Sequence, residues 1–376
     1  MIPFNKPYLH GRELVYISQA VSMGKISGDG AFTKKCHHFF EQRYDFKKVL
    51  MTTSCTDALE MAAILLDIQP GDEVIAPSYT FVSTVNAFAL RGAKIIFADS
   101  YSDHPNVDPA QIKKLITPNT KAIVVVHYAG VACDMDAIMA VANQHNIPVV
   151  EDAAQAIDSY YKGKPLGSIG TFGTFSFHET KNIIAGEGGL LVINDDKYIH
   201  RAEIIREKGT NRSSFFRGEV AKYGWVDIGS SFLPSDIISA YLYAQLENLN
   251  TIQVRRKEIW KRYYDKLSAI LFNTGIELPV VADYSTNNAH MFYLVCSSIE
   301  QRTALIQHLK DNEVHAVFHY LSLHTSEFYQ DKYIGYPLPN SDYFSDTLVR
   351  LPLFYELTDE QVDNICMQIK RFVELK

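Results

Sequence analysis

Short apolar runs alternate with amphipathic stretches along the first half of the chain. "KVLMTT", "DEVIAP", "AKIIFAD", "KAIVVVHY" and "IPVVED" read as strands. Between them "TDALEMAAILLDI", "TFVSTVNAFALRG", "DPAQIKKLIT" and "MDAIMAVANQH" carry helical spacing. Strands that are apolar throughout, each followed by a helix, predict a largely parallel sheet covered on both faces. "GTFSFH" and "GGLLVIN" add two more strands. A long helical stretch from residue 236, "DIISAYLYAQLENLNTIQVRRKEIWKRYYDKL", leads into "HMFYLVC" and "HAVFHY", read as strands, and a closing helix "TDEQVDNICMQIKRFVEL". The expected organisation is a large α/β domain over residues 1–250. A linking helix and a smaller C-terminal α+β domain are expected over 251–376.

Composition narrows the function classes. Hydrophobic residues make up 47% of the 376, enough for a sizeable core. A net charge of −7 argues against bulk electrostatic binding of nucleic acid. The five cysteines are scattered without a CxxC pair, so neither a disulfide framework nor a metal site is expected. Cys36-His37-His38 has metal-ligating side chains, but neighbours on a helix point apart. The N-terminus lacks a signal-peptide pattern and no apolar run is long enough to span a bilayer. A soluble, cytoplasmic protein with no membrane partner is the expectation.

Ligands of open parallel sheets bind at the carboxyl ends of strands. Polar groups fall there in three stretches. In "TTSCTDAL" a strand gives way to a helix whose N-terminal N–H groups suit a phosphate; alone, a plain N-cap is the stronger reading. In "VVEDAAQ", Asp152 caps the next helix or faces a buried heteroaromatic nitrogen. In "SFHETKN", Lys181 either snorkels from a strand end or forms a covalent bond. Together the three supply a phosphate cradle, a carboxylate and an amine. Pyridoxal phosphate needs that set: a lysine to hold its aldehyde as a Schiff base, a carboxylate to keep the pyridine nitrogen protonated, and donors for the phosphate.

The chain resembles the DegT/DnrJ/EryC1/StrS family of sugar aminotransferases, pyridoxal-phosphate enzymes of fold type I. The motifs "SGDGAFTKKCHHFFEQRY", "PGDEVIAPSYTFVSTVNAF", "VVEDAAQA", "FSFHETKN" with "GEGG", and "VFHYLSLH" with "LPLF" carry the likeness nearly end to end. It implies Lys181 as the Schiff-base lysine and Asp152 as the partner of the pyridinium. It implies Gln155 near the ring hydroxyl, Thr56, Asp57 (through its backbone N–H) and Ser176 at the phosphate, and Phe81 against the ring, where plain core is the other reading. Many members present an asparagine from the neighbouring subunit in "GxNxRM". Here "GSSFLP" places Ser231 there. Ile183 and Ile184 stand where polar residues are common.

The loop 208–222 carries Lys208, Arg212, Arg217 and Lys222, read as a diphosphate site or a solvated loop with equal weight. His319, Tyr320 and His324 are candidates for the sugar, against a structural role. "HYAGVACDMD" and "REKGTNRSSFFRG" resemble the members that aminate a dTDP-linked 4-keto-6-deoxy sugar at C4 to the galacto product. Glutamate as donor, a homodimer and a place in cell-surface polysaccharide biosynthesis follow from that resemblance. The alternatives are a 3-keto acceptor, the gluco epimer, and a sugar dehydratase, which carries histidine where Lys181 stands. A cofactor-free binding module would need no such set of residues.

Overall fold

The computed structural model describes residues 1–374. Seven strands form the large sheet: β1 (Val49–Thr52), β2 (Glu73–Pro77), β3 (Lys94–Ala98), β4 (Thr120–Val126), β5 (Val149–Asp152), β8 (Phe172–Ser176) and β9 (Gly189–Ile193). Their order is β1-β9-β8-β5-β4-β2-β3, and β9 runs antiparallel to both of its neighbours. A two-stranded hairpin, β6 (Tyr160–Tyr161) with β7 (Lys164–Pro165), lies outside it.

The apolar runs make sense in this setting. Successive side chains of a strand point to opposite faces. Accordingly Val49, Met51, Ile75, Ile123 and Val125 enter one core, while Leu50, Val74, Ala76, Ala122 and Val124 enter the other. The first core includes residues of helices Ala31–Tyr44 and Asp236–Glu247. The second includes residues of helices Cys55–Leu65 and Ile199–Arg206.

A third core joins helix Leu249–Ile270 to a small sheet of order β10-β12-β11, made of β10 (Phe292–Val295), β11 (Val317–Phe318) and β12 (Leu348–Leu351). Helices Ile299–Asp311 and Asp359–Glu374 complete it. The long helix expected from residue 236 is two helices that meet at Asn248, whose φ of −104° and ψ of 7° break the run. The closing helix was expected through residue 375, which lies outside the described residues. The N-terminal arm is also tied to the small sheet's side: Ile2 pairs with Val314, with hydrogen bonds of 2.7 and 3.0 Å to Glu313 and His315.

All five cysteines are buried, and no disulfide forms among the described residues. Among the described residues no helix is long and apolar enough to cross a membrane, and no cluster of three metal-ligating side chains occurs.

Candidate active site

A cavity of about 390 Å³ lies between the carboxyl ends of β4, β5 and β8 and the small sheet. Asp152, the last residue of β5, is buried in its wall. Its Oδ2 accepts a 2.8 Å hydrogen bond from Thr84 Oγ1, and its Oδ1 one of 3.1 Å from the Ala154 N–H. Burial raises the pKa of this carboxyl; the bonds from Thr84 and Ala154 and the charge of Lys181 pull the other way.

Lys181 sits on a tight excursion between β8 and β9. Phe177 N bonds Gly188 O at 2.8 Å, Ala185 N bonds Phe177 O at 2.7 Å, and Lys181 N bonds His178 O at 2.9 Å. Ile183 is fully buried beside Phe177 in the first core, and Ile184 is buried too. Their apolar character therefore anchors the lysine loop. Asn182 holds it from the other side, donating to Gln253 Oε1 at 2.8 Å and accepting from His290 Nδ1 at 2.9 Å. Burial lowers the pKa of the Lys181 ammonium, while Cys55 and Asp152 oppose that shift and Arg350 adds to it.

The helix Cys55–Leu65 begins at the cavity. Ser54 caps it by accepting the Asp57 N–H at 3.1 Å. The N–H groups of Cys55 and Thr56, both lining residues, are left without a partner inside the helix. Thr56 Oγ1 bonds Ser83 Oγ at 2.8 Å. The last glycine of "GEGG" fits here as well. A Cβ on Gly189 would lie 2.2 Å from the Ser54 backbone, so only glycine lets β9 pass this close to the cap.

Of the residues singled out in the sequence, Lys181, Asp152, Gln155, Ser176, Thr56, Phe81, His319 and Tyr320 line this cavity. Gln155 Nε2 donates to Tyr320 Oη at 3.0 Å while its Oε1 accepts from the Ala129 N–H at 2.7 Å. Tyr320 holds a left-handed φ of 57° and stacks on His319 at 3.6 Å; His319 Nδ1 lies 2.7 Å from Tyr128 Oη. Phe81 is exposed and lies 6.0 Å from Tyr320.

The others lie elsewhere. Asp57 is set back from the lining: its N–H is spent on Ser54, and its carboxylate accepts from Thr53 Oγ1. His324 is buried outside the cavity, 2.8 Å from Ser78 Oγ and 3.6 Å from Asp342. Lys208, Arg212 and Ser231 are exposed; Arg212 pairs with Glu207 at 3.8 Å, and Ser231 bridges Glu207 through its backbone. The polar lining residues that were missed include Thr84, His290 and Arg350. Thr84 lies in the first turn of helix Ser83–Ala89, 2.8 Å from the hydroxyl of Thr80. Arg350 interrupts the apolar run "LVRLPLF" at an alternate strand position, the one signal that could have found it.

The model of the DegT/DnrJ/EryC1/StrS aminotransferase family matches residues 7–370. Among solved structures, the aminotransferase TlmJ from Streptoalloteichus hindustanus is 28% identical with a TM-score of 0.91, covering 100% of this chain and 99% of its own. Spr1654 from Streptococcus pneumoniae, solved in a PLP form, is 27% identical with a TM-score of 0.90 over 100% and 99% of the two chains. Sugar aminotransferase CalS13 from Micromonospora echinospora is 25% identical with a TM-score of 0.90 over 99% and 100%.

The cavity fits pyridoxal phosphate. Asp152 has a carboxylate held by only one donor on each oxygen and buried where an opposing charge would relieve it. Lys181 is the one lysine in the lining. Ser54, Thr56 and Ser176 gather hydroxyls at a helix end that favours a phosphate. The chain belongs to the DegT/DnrJ/EryC1/StrS aminotransferase family and is a pyridoxal-phosphate-dependent enzyme of that family.

Proposed function

We propose that this aminotransferase moves an amino group from glutamate to a nucleotide-linked 4-keto-6-deoxy sugar, forming dTDP-4-amino-4,6-dideoxygalactose for cell-surface polysaccharide. The observation that carries the reading is Lys181 and Asp152 in one wall-to-wall cavity, in a chain built like sugar aminotransferase CalS13 throughout. The sequence likeness of "HYAGVACDMD" and "REKGTNRSSFFRG" supports the acceptor.

The bound cofactor supplies an aldehyde for the amino group and a ring that accepts electrons. The chain supplies the rest. Asp152 holds a proton on the ring nitrogen. The Lys181 amine, its pKa lowered by burial, takes the proton from the donor's Cα and returns one to C4 of the sugar. Burial lowers His290 and His319 well below the usual histidine range, so both face the reactants uncharged.

The nucleotide lies outside this enclosed space in the same reading. Residues 207–231 leave Phe216, Tyr223 and Trp225 exposed in the single chain, Trp225 to 82%. A second copy covering that segment would bring Ser231 and the cations Lys208 and Arg212 to its partner's cavity mouth. The enzyme in that form is a cytoplasmic homodimer. The deciding experiment incubates the enzyme with dTDP-4-keto-6-deoxyglucose and glutamate and identifies the product by NMR. An axial amine at C4 is the expected result. Nitrogen at C3, or an equatorial amine at C4, overturns the acceptor assignment and leaves the family intact.

A further inference from the structure

Arg350 is a cation of the cavity that the proposed chemistry leaves unused. It enters from β12 of the small sheet, across from the helix end at Ser54 on the large one. Its Nε is buried without a hydrogen-bond partner, and no carboxylate among the described residues forms an ion pair with it. Burial lowers the pKa of its guanidinium; the neutral phenols Tyr128, Tyr320 and Tyr79 face it, and the charges near enough to act on it include the cations Lys181 and Arg256. The ring of Phe4, on the N-terminal arm, supports the guanidinium at 4.7 Å. A partly desolvated cation with no counter-ion is a costly arrangement that an entering anion would relieve. Arg256, buried nearby, is by contrast satisfied by the carbonyls of Ala289 and His290.

We propose that Arg350 receives the carboxylate of the amino donor, with Phe4 holding the guanidinium in place. Chemistry selects this anion over the acceptor's diphosphate. An α-amino acid carries its carboxylate on the carbon that bears the reacting nitrogen, so a cation in the same small cavity as Lys181 can reach it. In a 4-keto sugar nucleotide the pyranose ring separates C4 from the diphosphate. Planar guanidinium and carboxylate also match as a two-point pair. Neutral His290 and His319 nearby offer no competing charge. The cofactor's own phosphate has its donors at Ser54, Thr56 and Ser176.

The inference deepens the donor half of the proposed reaction and rests on it. The test uses holoenzyme and α-methylglutamate, which has no Cα proton to lose, with its dissociation constant read from the cofactor's absorbance. Loss of a hydrogen-bonded charge pair is worth about 1.5–3 kcal/mol, a factor of roughly 10 to 150. Arg350→Met is expected to weaken α-methylglutamate by that factor and to raise the KM for glutamate alike. The KM for the keto sugar is expected to stay within about twofold. Arg350→Lys should recover part of the loss, and Phe4→Leu should show a smaller loss in the same direction. Should Arg350→Met fail to hold cofactor, the lysine and leucine variants decide the matter alone. A rise confined to the keto sugar would assign Arg350 to the diphosphate. Equal losses for both substrates, or none, would leave it a packing residue; either result overturns the proposal. Wild-type enzyme that shows no response to glutamate at all would instead overturn the donor itself.

Discussion

The two walls of the cavity are built differently. The large-sheet wall places its groups at strand and helix ends: Asp152 ends β5, Ser176 ends β8 and Thr56 opens a helix. The ends of these elements set their positions, and side-chain bonds hold Asp152 to Thr84 and Thr56 to Ser83. The small-sheet wall, with His290, His319, Tyr320 and Arg350, is a layer of rings and one cation assembled from the segment before β10, the loop after β11 and β12. Its members are positioned by stacking and long-range bonds, as His319 is by Tyr320 and Tyr128. The difference separates tasks. The proposed anchor and ring-nitrogen partner need fixed geometry, which a strand end gives Asp152 and a loop packed into the first core gives Lys181. A wall that meets two unlike substrates in turn is better built of neutral rings around one charge.

The sharpest way to break this comparison is Lys181→Ala. The variant removes both the proposed anchor and the proposed proton shuttle from the rigid wall, and turnover is expected to fall by about 10⁴-fold while the fold persists. Measured turnover within about tenfold of wild type would exclude the role. Mixing these chains with Arg212→Ala chains should restore part of the activity if the site is shared between two subunits. Asp152→Asn comes next. An amide cannot offset a pyridinium charge, so kcat is expected to drop by roughly 10²–10³-fold with cofactor still bound. Wild-type kinetics in that variant would mean the ring nitrogen has another partner.

The same contrast explains what the sequence revealed. Lys181 and Asp152 were legible because apolar strands announce their own ends, and polar residues there stand out. The alternation of β1, β2 and β4 between two cores was legible for the same reason. Gly189 could be placed in its motif, but its reason, contact with the Ser54 backbone, lies between β9 and the start of a helix far from it in sequence. Arg350 lay inside what reads as an ordinary apolar run. Its meeting with Lys181 depends on how the small sheet docks, which local periodicity does not encode. The same holds for His324. Its motif groups it with His319 and Tyr320, yet the turn after Ser322 carries it to Ser78. Ile183, odd as a site residue, is explained once the lysine loop is seen to pack into the first core.

The smallest effect separates the rigid wall's stability from its chemistry. In the cofactor-free protein, burial raises the Asp152 pKa above its unfolded value of about 3.9. The native state therefore holds a proton that the unfolded chain has released, and stability falls as pH rises through the window between the two values. Asparagine carries no charge, its Oδ1 can still accept from Ala154, and the Thr84 hydroxyl can turn to accept from its amide. Apoenzyme with Asp152→Asn is thus expected to melt higher than wild type at pH 7, by roughly 1–3 °C. The gap should shrink as pH falls below about 3.9, where the wild-type carboxyl becomes protonated in both states. With cofactor bound the order should reverse, because the protonated ring then stabilises the wild-type carboxylate. Thermal melts of both forms across pH check this. A variant apoenzyme that melts lower than wild type at pH 7 would show that the bonds from Thr84 and Ala154 outweigh the burial of the charge.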